Sequence, residues 1–188
     1  MAAQPGQLII NGVNIPQAAP LVPAIYAWAG TKAANILEAY TVGGGFEVWA
    51  QIEIAVAVRR WCQFAGIPAN LQREAPIFAA NNQLAVDFAV NYAAFPHIVE
   101  LKVEGSNPNA DNATIFAKGL DADITKLIEK KVKPEWNDHP GLAVGISCTD
   151  QAAQATEKIF QNQGDRPLRI NIANTPLALW VYARRVKA

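Results

Sequence analysis

Residues 84–104 read LAVDFAVNYAAFPHIVELKVE and carry an aspartate, a glutamate and a lysine at spacings that two neighbouring β-strands turn into one cluster. In 84–92 the large apolar residues Leu84, Val86, Phe88, Val90 and Tyr92 alternate with Ala85, Asp87, Ala89 and Asn91. A period of two therefore sends Asp87, the one charge of that strand, to the opposite face. In 97–104 the same alternation sets Val99, Leu101 and Val103 against Ile98, Glu100, Lys102 and Glu104. The connector Ala93-Ala94-Phe95-Pro96 is short enough for a hairpin, which brings Asp87 beside Glu100 and Lys102. A fourth group joins from a helix predicted over 46–65, where Phe46, Trp49, Glu53, Val56 and Ala57 share a face and place Glu53 in an apolar stripe. A buried carboxylate needs a partner or a metal. Three acids around one lysine leave excess negative charge inside a fold, which is costly unless a cation is held there. The same residues also suit a buried salt-bridge cluster, with Glu53 paired to Arg59, Arg60 or Lys102.

The elements that must position these groups follow from punctuation and periodicity. Pro5-Gly6, Asn11-Gly12 and the prolines at 16, 20 and 23 divide 1–23 into an arm or hairpin with short strands at Leu8–Ile10 and Val13–Ile15. A helix is predicted over about 24–40, stopped by Gly43-Gly44-Gly45, which lacks the Lys-Ser/Thr of a phosphate-binding loop. The helix over 46–65 is apolar on nearly every side and is expected to be largely buried. Strands follow at about 71–79, 84–92 and 97–103, then a polar loop over 105–112. A helix over 113–133 has Leu120, Ile124, Leu127 and Ile128 as its apolar stripe, and its Asp121, Asp123, Lys126, Lys130 and Lys131 read as a solvated, self-paired face. A buried strand at 142–148, an amphipathic helix at 150–163 and strands at 168–173 and 177–183 complete the order.

The 188 residues suit one α/β domain. Sixteen basic residues balance sixteen acidic ones and 51% of the chain is hydrophobic, which fits a packed globular protein and counts against tight nonspecific duplex binding. Cys62 and Cys148 lack metal-ligand spacing and read as reduced, buried thiols. His97 and His139 have no nucleophile in a recognisable frame. The N-terminus has no positively charged segment followed by a long apolar core, and no window reaches eighteen uncharged apolar residues. An intracellular protein, with no membrane partner, is therefore expected.

The element order, with Asp87, twelve intervening residues and Glu100-Leu101-Lys102, resembles the PD-(D/E)xK nuclease superfamily over roughly 46–149. Glu53 on the preceding helix, Gln72-Arg73-Glu74 before Asp87, Asp123-Ile124-x-Lys126-Leu127 on the following helix, and Phe116 and Gly119 near its start fit the same pattern. Val86 departs from it, since proline is usual there. The resemblance implies a restriction-endonuclease-like core, a mixed central β-sheet flanked by helices, and a metal-dependent nuclease hydrolysing phosphodiester bonds. Asp87, Glu100 and the Leu101 carbonyl would hold Mg²⁺ or Mn²⁺. Glu53 would complete the shell or hold a metal-bound water, and Lys102 would orient or deprotonate the attacking water or stabilise negative charge. Lys126, Lys130, Lys131, Lys133, Arg59 and Arg60 are the candidate phosphate contacts, with Trp136 beside them. The implied partner is nucleic acid, DNA before RNA, and a homodimer would pool two weakly charged surfaces. Members of this fold that keep the site as a binding or assembly module are the alternative.

Overall fold

The computed structural model describes residues 7–16, 21–42, 46–64, 66, 68–79, 84–92 and 95–188. The chain opens with a hairpin of β1 (Gln7–Ile10) and β2 (Val13–Pro16) turned by Asn11 and Gly12, both at positive φ. The helix expected over 24–40 is two helices, α1 (Leu21–Thr31) and α2 (Ala33–Val42). They part at Lys32, just after Gly30 and Thr31. Glycine weakens a helix interior, and the Thr31 hydroxyl donates to the Trp28 carbonyl at 3.0 Å. The stop at Gly43–Gly45 and the connector at 93–94 lie outside the described residues.

Then come α3 (Phe46–Phe64), β3 (Ala69–Ala75), β4 (Val86–Tyr92), β5 (Phe95–Val103), α4 (Asn112–Glu129), β6 (Pro140–Ser147), α5 (Asp150–Phe160), β7 (Leu168–Asn171) and β8 (Ala178–Arg185). The predicted strand over 71–79 stops at Ala75 because Pro76 has no N–H to give to a ladder. The predicted helix over 113–133 stops at Glu129. Val132 is drawn into a bridge with Phe78, and Pro134 disfavours helical geometry in the residue before it.

Among the described residues the strands form a six-stranded sheet of order β3-β4-β5-β6-β8-β7, beside the separate β1–β2 hairpin. Only β5 and β6 run parallel, joined by α4 as the crossover. The sheet is therefore mixed and flanked by helices on both faces. Phe88, Val90, Val99, Leu101 and Val103 pack with α1, α2 and α3, whereas Ala89, Ile98, Ala143 and Trp180 pack with α4 and α5. No helix among the described residues is long and apolar enough to cross a membrane.

The α3 helix departs from the expected burial. Phe46, Ala50, Ile54, Val58 and Cys62, spaced by four, face the core, and Gln51 is buried beside them. Val48, Ile52, Val56 and Phe64 are exposed. Each helical residue turns about 100°, so one stripe meets the sheet and the rest of an apolar helix cannot.

On β6, Gly145 lets α4 lie close to the sheet. A Cβ there would meet Leu120 at 3.0 Å, Phe116 at 3.1 Å and the Trp180 Cβ at 3.3 Å. Gly145→Ala is expected to destabilise the protein by about 1–3 kcal/mol through overpacking. Gly105→Ala, with nothing within 4 Å, should change stability by less than about 0.5 kcal/mol. Equal denaturation midpoints for the two variants would show that the α4 contact tolerates the extra methyl.

Candidate active site

The site forms where β4 and β5 separate. Their pairing runs from Tyr92↔Phe95 to Phe88↔Val99 and goes no further, although β5 continues to Val103 beside β6. On the other side of β4 the ladder skips Asp87 as well: Arg73 pairs with Phe88 and Ala75 with Val86, while Glu74 between them has φ 49. Asp87 thus stands where both ladders are interrupted.

The unpaired edge of β5 is capped by carboxylates. Leu101 N donates to Asp87 Oδ2 at 2.6 Å, and Val103 N donates to Glu47 Oε2 at 3.2 Å. An orphaned backbone N–H buried away from water costs as much as a lost hydrogen bond, so these acids replace the missing strand. The other Asp87 oxygen accepts from Gln51 Nε2 at 2.7 Å, and Gln51 Oε1 accepts from Arg73 Nη2 at 2.9 Å. That chain fixes the amide orientation of Gln51, because a carboxylate can only accept and a guanidinium can only donate.

Glu100 and Lys102 point toward α4. Lys126 Nζ lies 2.7 Å from Glu100 Oε1 and donates to the Ala85 carbonyl at 2.7 Å. At this distance the two groups form an ion pair, and a carboxylate oxygen has a second lone pair with which to accept. The Lys102 stem crosses Gly119, where a Cβ would come within 2.8 Å of it, and its Nζ reaches Glu47 at 2.7 Å. Asp123 completes the cluster on α4. Four carboxylates, Glu47, Asp87, Glu100 and Asp123, therefore face two ammonium groups, Lys102 and Lys126.

The electrostatics follow from this excess. Burial pushes Glu100 up to about 8 against the opposing Lys126, with Asp87 and Asp123 adding to the rise. Burial likewise lifts Asp123 to about 6 and raises Asp87. Burial pulls Lys102 down, but the Glu47 hydrogen bond and charge, with Asp123 and Asp87, outweigh it and hold the ammonium above its ordinary value.

Of the residues expected from sequence, the structure brings Asp87, Glu100, Leu101, Lys102 and Lys126 together. Glu53 does not join them. It lies about 120° around α3 from Glu47 and pairs with Lys32 at 3.7 Å. Glu47 occupies the position expected of Glu53, and the four-residue step from Glu47 to Gln51 is the helical signal that marks the sheet-facing side. Asp123 and Lys126, expected on a solvated face, are drawn inward with Phe116, Leu120, Ile124 and Leu127. Lys130 and Lys131 are exposed and Lys133 half-buried beyond α4, whereas Arg59 and Arg60 lie on α3 across the sheet. These cations do not form one surface. Trp136 packs edge-on against His139 at 6.3 Å.

Among the described residues no group of three or more His, Cys, Asp or Glu side chains is arranged to hold a metal ion. No family model, curated protein or solved structure matches the chain.

The raised carboxyl pKa values carry a sign. A carboxyl held above its unfolded value binds protons more tightly in the folded state, so its stabilising effect is present at low pH and lost as pH rises through the folded value. In chelator, thermal stability is expected to fall as pH rises through about 6 for Asp123 and about 8 for Glu100. Glu100→Gln should flatten the upper part of this decline. Melting curves across pH decide the matter, and parallel profiles for the two proteins would remove Glu100 as the source.

Proposed function

We propose that the chain is a metal-dependent nuclease with a restriction-endonuclease-like core, hydrolysing phosphodiester bonds of nucleic acid. The observation that carries this reading is the parting of β4 and β5, which gathers Asp87, Glu100, Lys102 and the Leu101 backbone in one negatively charged, largely buried cluster. The order α3, β3, β4, β5, α4, β6, with β5 and β6 parallel across α4, supports the same reading and matches the arrangement the sequence resemblance implies.

The donor chemistry suits a hard divalent cation such as Mg²⁺ or Mn²⁺. Asp87 and Glu100 offer carboxylate oxygens, and Glu100 Oε1 has a second lone pair beside its ion pair with Lys126. The Leu101 carbonyl, which lies on the same side of β5 as its N–H, opens toward the gap left by β4. Magnesium commonly takes one or two protein carboxylates and completes its shell with water and substrate phosphate, so Asp87 and Glu100 are enough for this role. When bound, such a cation polarises the phosphate and acidifies a coordinated water.

The chain's own residues do the rest. Lys102, kept protonated by Glu47, acts as a fixed electrostatic clamp on developing negative charge and orients the attacking water instead of deprotonating it. Glu47 positions Lys102, and Gln51 holds Asp87 with one oxygen engaged. Lys126 balances Glu100 until a cation takes that role.

A second reading is favoured by the pairing itself. Asp87 is engaged by Gln51 and the Leu101 N–H, and Glu100 by Lys126, so the cluster is internally compensated. A catalytically silent binding or assembly module would keep it as a strand cap.

Two sets of variants separate these readings. Glu100→Gln and Asp87→Asn are expected to lose Mn²⁺ binding by calorimetry and to lose cleavage of DNA or RNA. Lys102→Met should bind Mn²⁺ yet lose about 100-fold or more in activity. Undiminished Mn²⁺ binding in both carboxylate variants would exclude this opening as the metal site. Glu47→Gln should reduce turnover about 10-fold or more, whereas Glu53→Gln should leave it near wild type. The reverse ranking in single-turnover assays would return Glu53 to the mechanism.

A further inference from the structure

A second polar feature lies beside the site, on the far end of the Gln51 amide. A cavity of about 360 Å³ opens between α3 and β3, floored by Ile52, Val56 and Leu71 and walled by Arg59, Asn70 and Arg73. None of its lining residues is acidic, and among the described residues neither guanidinium is in an ion pair. Arg73 spends Nη2 on Gln51, while its Nε is buried with no hydrogen-bond partner. Two guanidinium groups line this cavity with no acidic residue among its lining, so their charge has no counter-ion there. A suitable ligand is anionic and offers several oxygens, since a guanidinium fork matches phosphate geometry.

We infer that this cavity is a subsite for a phosphate group of the nucleic-acid strand, held by Arg59 and Arg73 with Asn70 at its rim. This rests on the nuclease reading of the neighbouring opening. Its position supports the strand as the source of the phosphate. Arg73 reaches Asp87 through a single side chain, with 2.9 Å from Arg73 to Gln51 and 2.7 Å from Gln51 to Asp87. A phosphate seated on Arg73 therefore lies one amide away from the carboxylate that faces the bond to be cut. The cavity also exceeds a phosphate in volume, and its aliphatic floor suits the attached sugar. An apolar peptide would use Ile52 and Val56, which are half exposed, but would leave two guanidinium groups without a counter-charge.

The function of Arg73 is then twofold. It binds the strand away from the reacting atoms and, through Gln51, holds Asp87 in the orientation seen here. Arg73 is a positioning residue in this scheme. Arg59, exposed on α3 and outside that hydrogen-bond chain, contributes binding alone.

The test follows the arginine Nε–Hε resonances of ¹⁵N-labelled protein in chelator, so that no cleavage occurs. One titration uses inorganic phosphate and a second uses a six-nucleotide oligothymidylate. Arg59 and Arg73 are expected to shift together along one saturation curve, with the oligonucleotide saturating at a concentration at least about 10-fold lower than phosphate. Arg59→Ala should weaken both titrations and, in the metal-loaded enzyme, raise KM with little change in kcat. Absence of any shift at either arginine, or shifts with unrelated midpoints, would overturn the subsite. Equal affinity for phosphate and oligonucleotide would overturn the strand as its ligand. Cleavage assays on the wild type are independent of this result: shared arginine shifts without cleavage would sink the nuclease reading and keep an anion site, and cleavage without shifts would do the opposite.

Discussion

The parting of β4 from β5 after the Phe88↔Val99 pair is the constraint on which the site depends. Beyond that pair β5 still has a partner in β6, from Ile98↔Gly141 to Val103↔Ile146, but its other edge has lost one. The N–H groups of Leu101 and Val103 would be left bare inside the protein. Asp87 and Glu47 fill the vacancy, one from the strand that has turned away and one from the first turn of the helix above it. A gap in a ladder thus becomes a place where acidic side chains are required for the fold and held in position by it.

The gap persists because β5 is anchored at its far end. Glu104, 1% exposed, accepts from Cys148 N at 2.6 Å, Thr149 N at 2.9 Å and the Thr149 hydroxyl at 2.7 Å. Thr149 caps α5, so one carboxylate ties the end of β5 to the end of β6 and to a helix N-terminus, where negative charge is favoured. The Tyr40 hydroxyl, raised by burial and then by this carboxylate, adds α2 to the junction. With β5 fixed along β6 and pinned at Glu104, β4 is the strand that moves aside. The strained φ of Glu74, opposite Asp87, lies at the same point on β4's other neighbour.

Much of this geometry was legible in the sequence because a strand has a period of two. That alternation alone sets Glu100 and Lys102 on one face of β5, and the α4 contacts with Lys126 and Gly119 fall on that face. Helical phase was less legible on α3. Its apolar residues surround it, so an apolar stripe through Glu53 could be drawn as readily as the one through Ala50, Ile54 and Val58 that meets the sheet. Only the polar pair Glu47 and Gln51, four apart and next to that second stripe, distinguishes them. The inward placement of Asp123 and Lys126 was not legible from helical pattern, because an acid followed by lysines is what a solvated helix shows, and nothing local reveals that Glu100 and Lys102 lie opposite. Arg73 was legible only as part of the Gln72-Arg73-Glu74 segment before Asp87, and its hydrogen bond to Gln51, twenty-two positions away, was not.

The balance of charge explains why the cluster tolerates its own composition. With Glu47, Asp87, Glu100 and Asp123 all ionised, two lysines cannot neutralise the opening, and the least solvated acid, Glu100, responds by holding its proton to about 8. Uptake of a proton by Glu100 relieves that repulsion at the expense of its ion pair with Lys126. A divalent cation would compete with that proton and with Lys126 for the same oxygens, so metal affinity should rise with pH, one proton being released as the carboxyl is engaged. Lys126 has somewhere to go when displaced. It already donates to the Ala85 carbonyl and sits 5.3 Å from the Phe78 ring, contacts that keep its ammonium satisfied without Glu100.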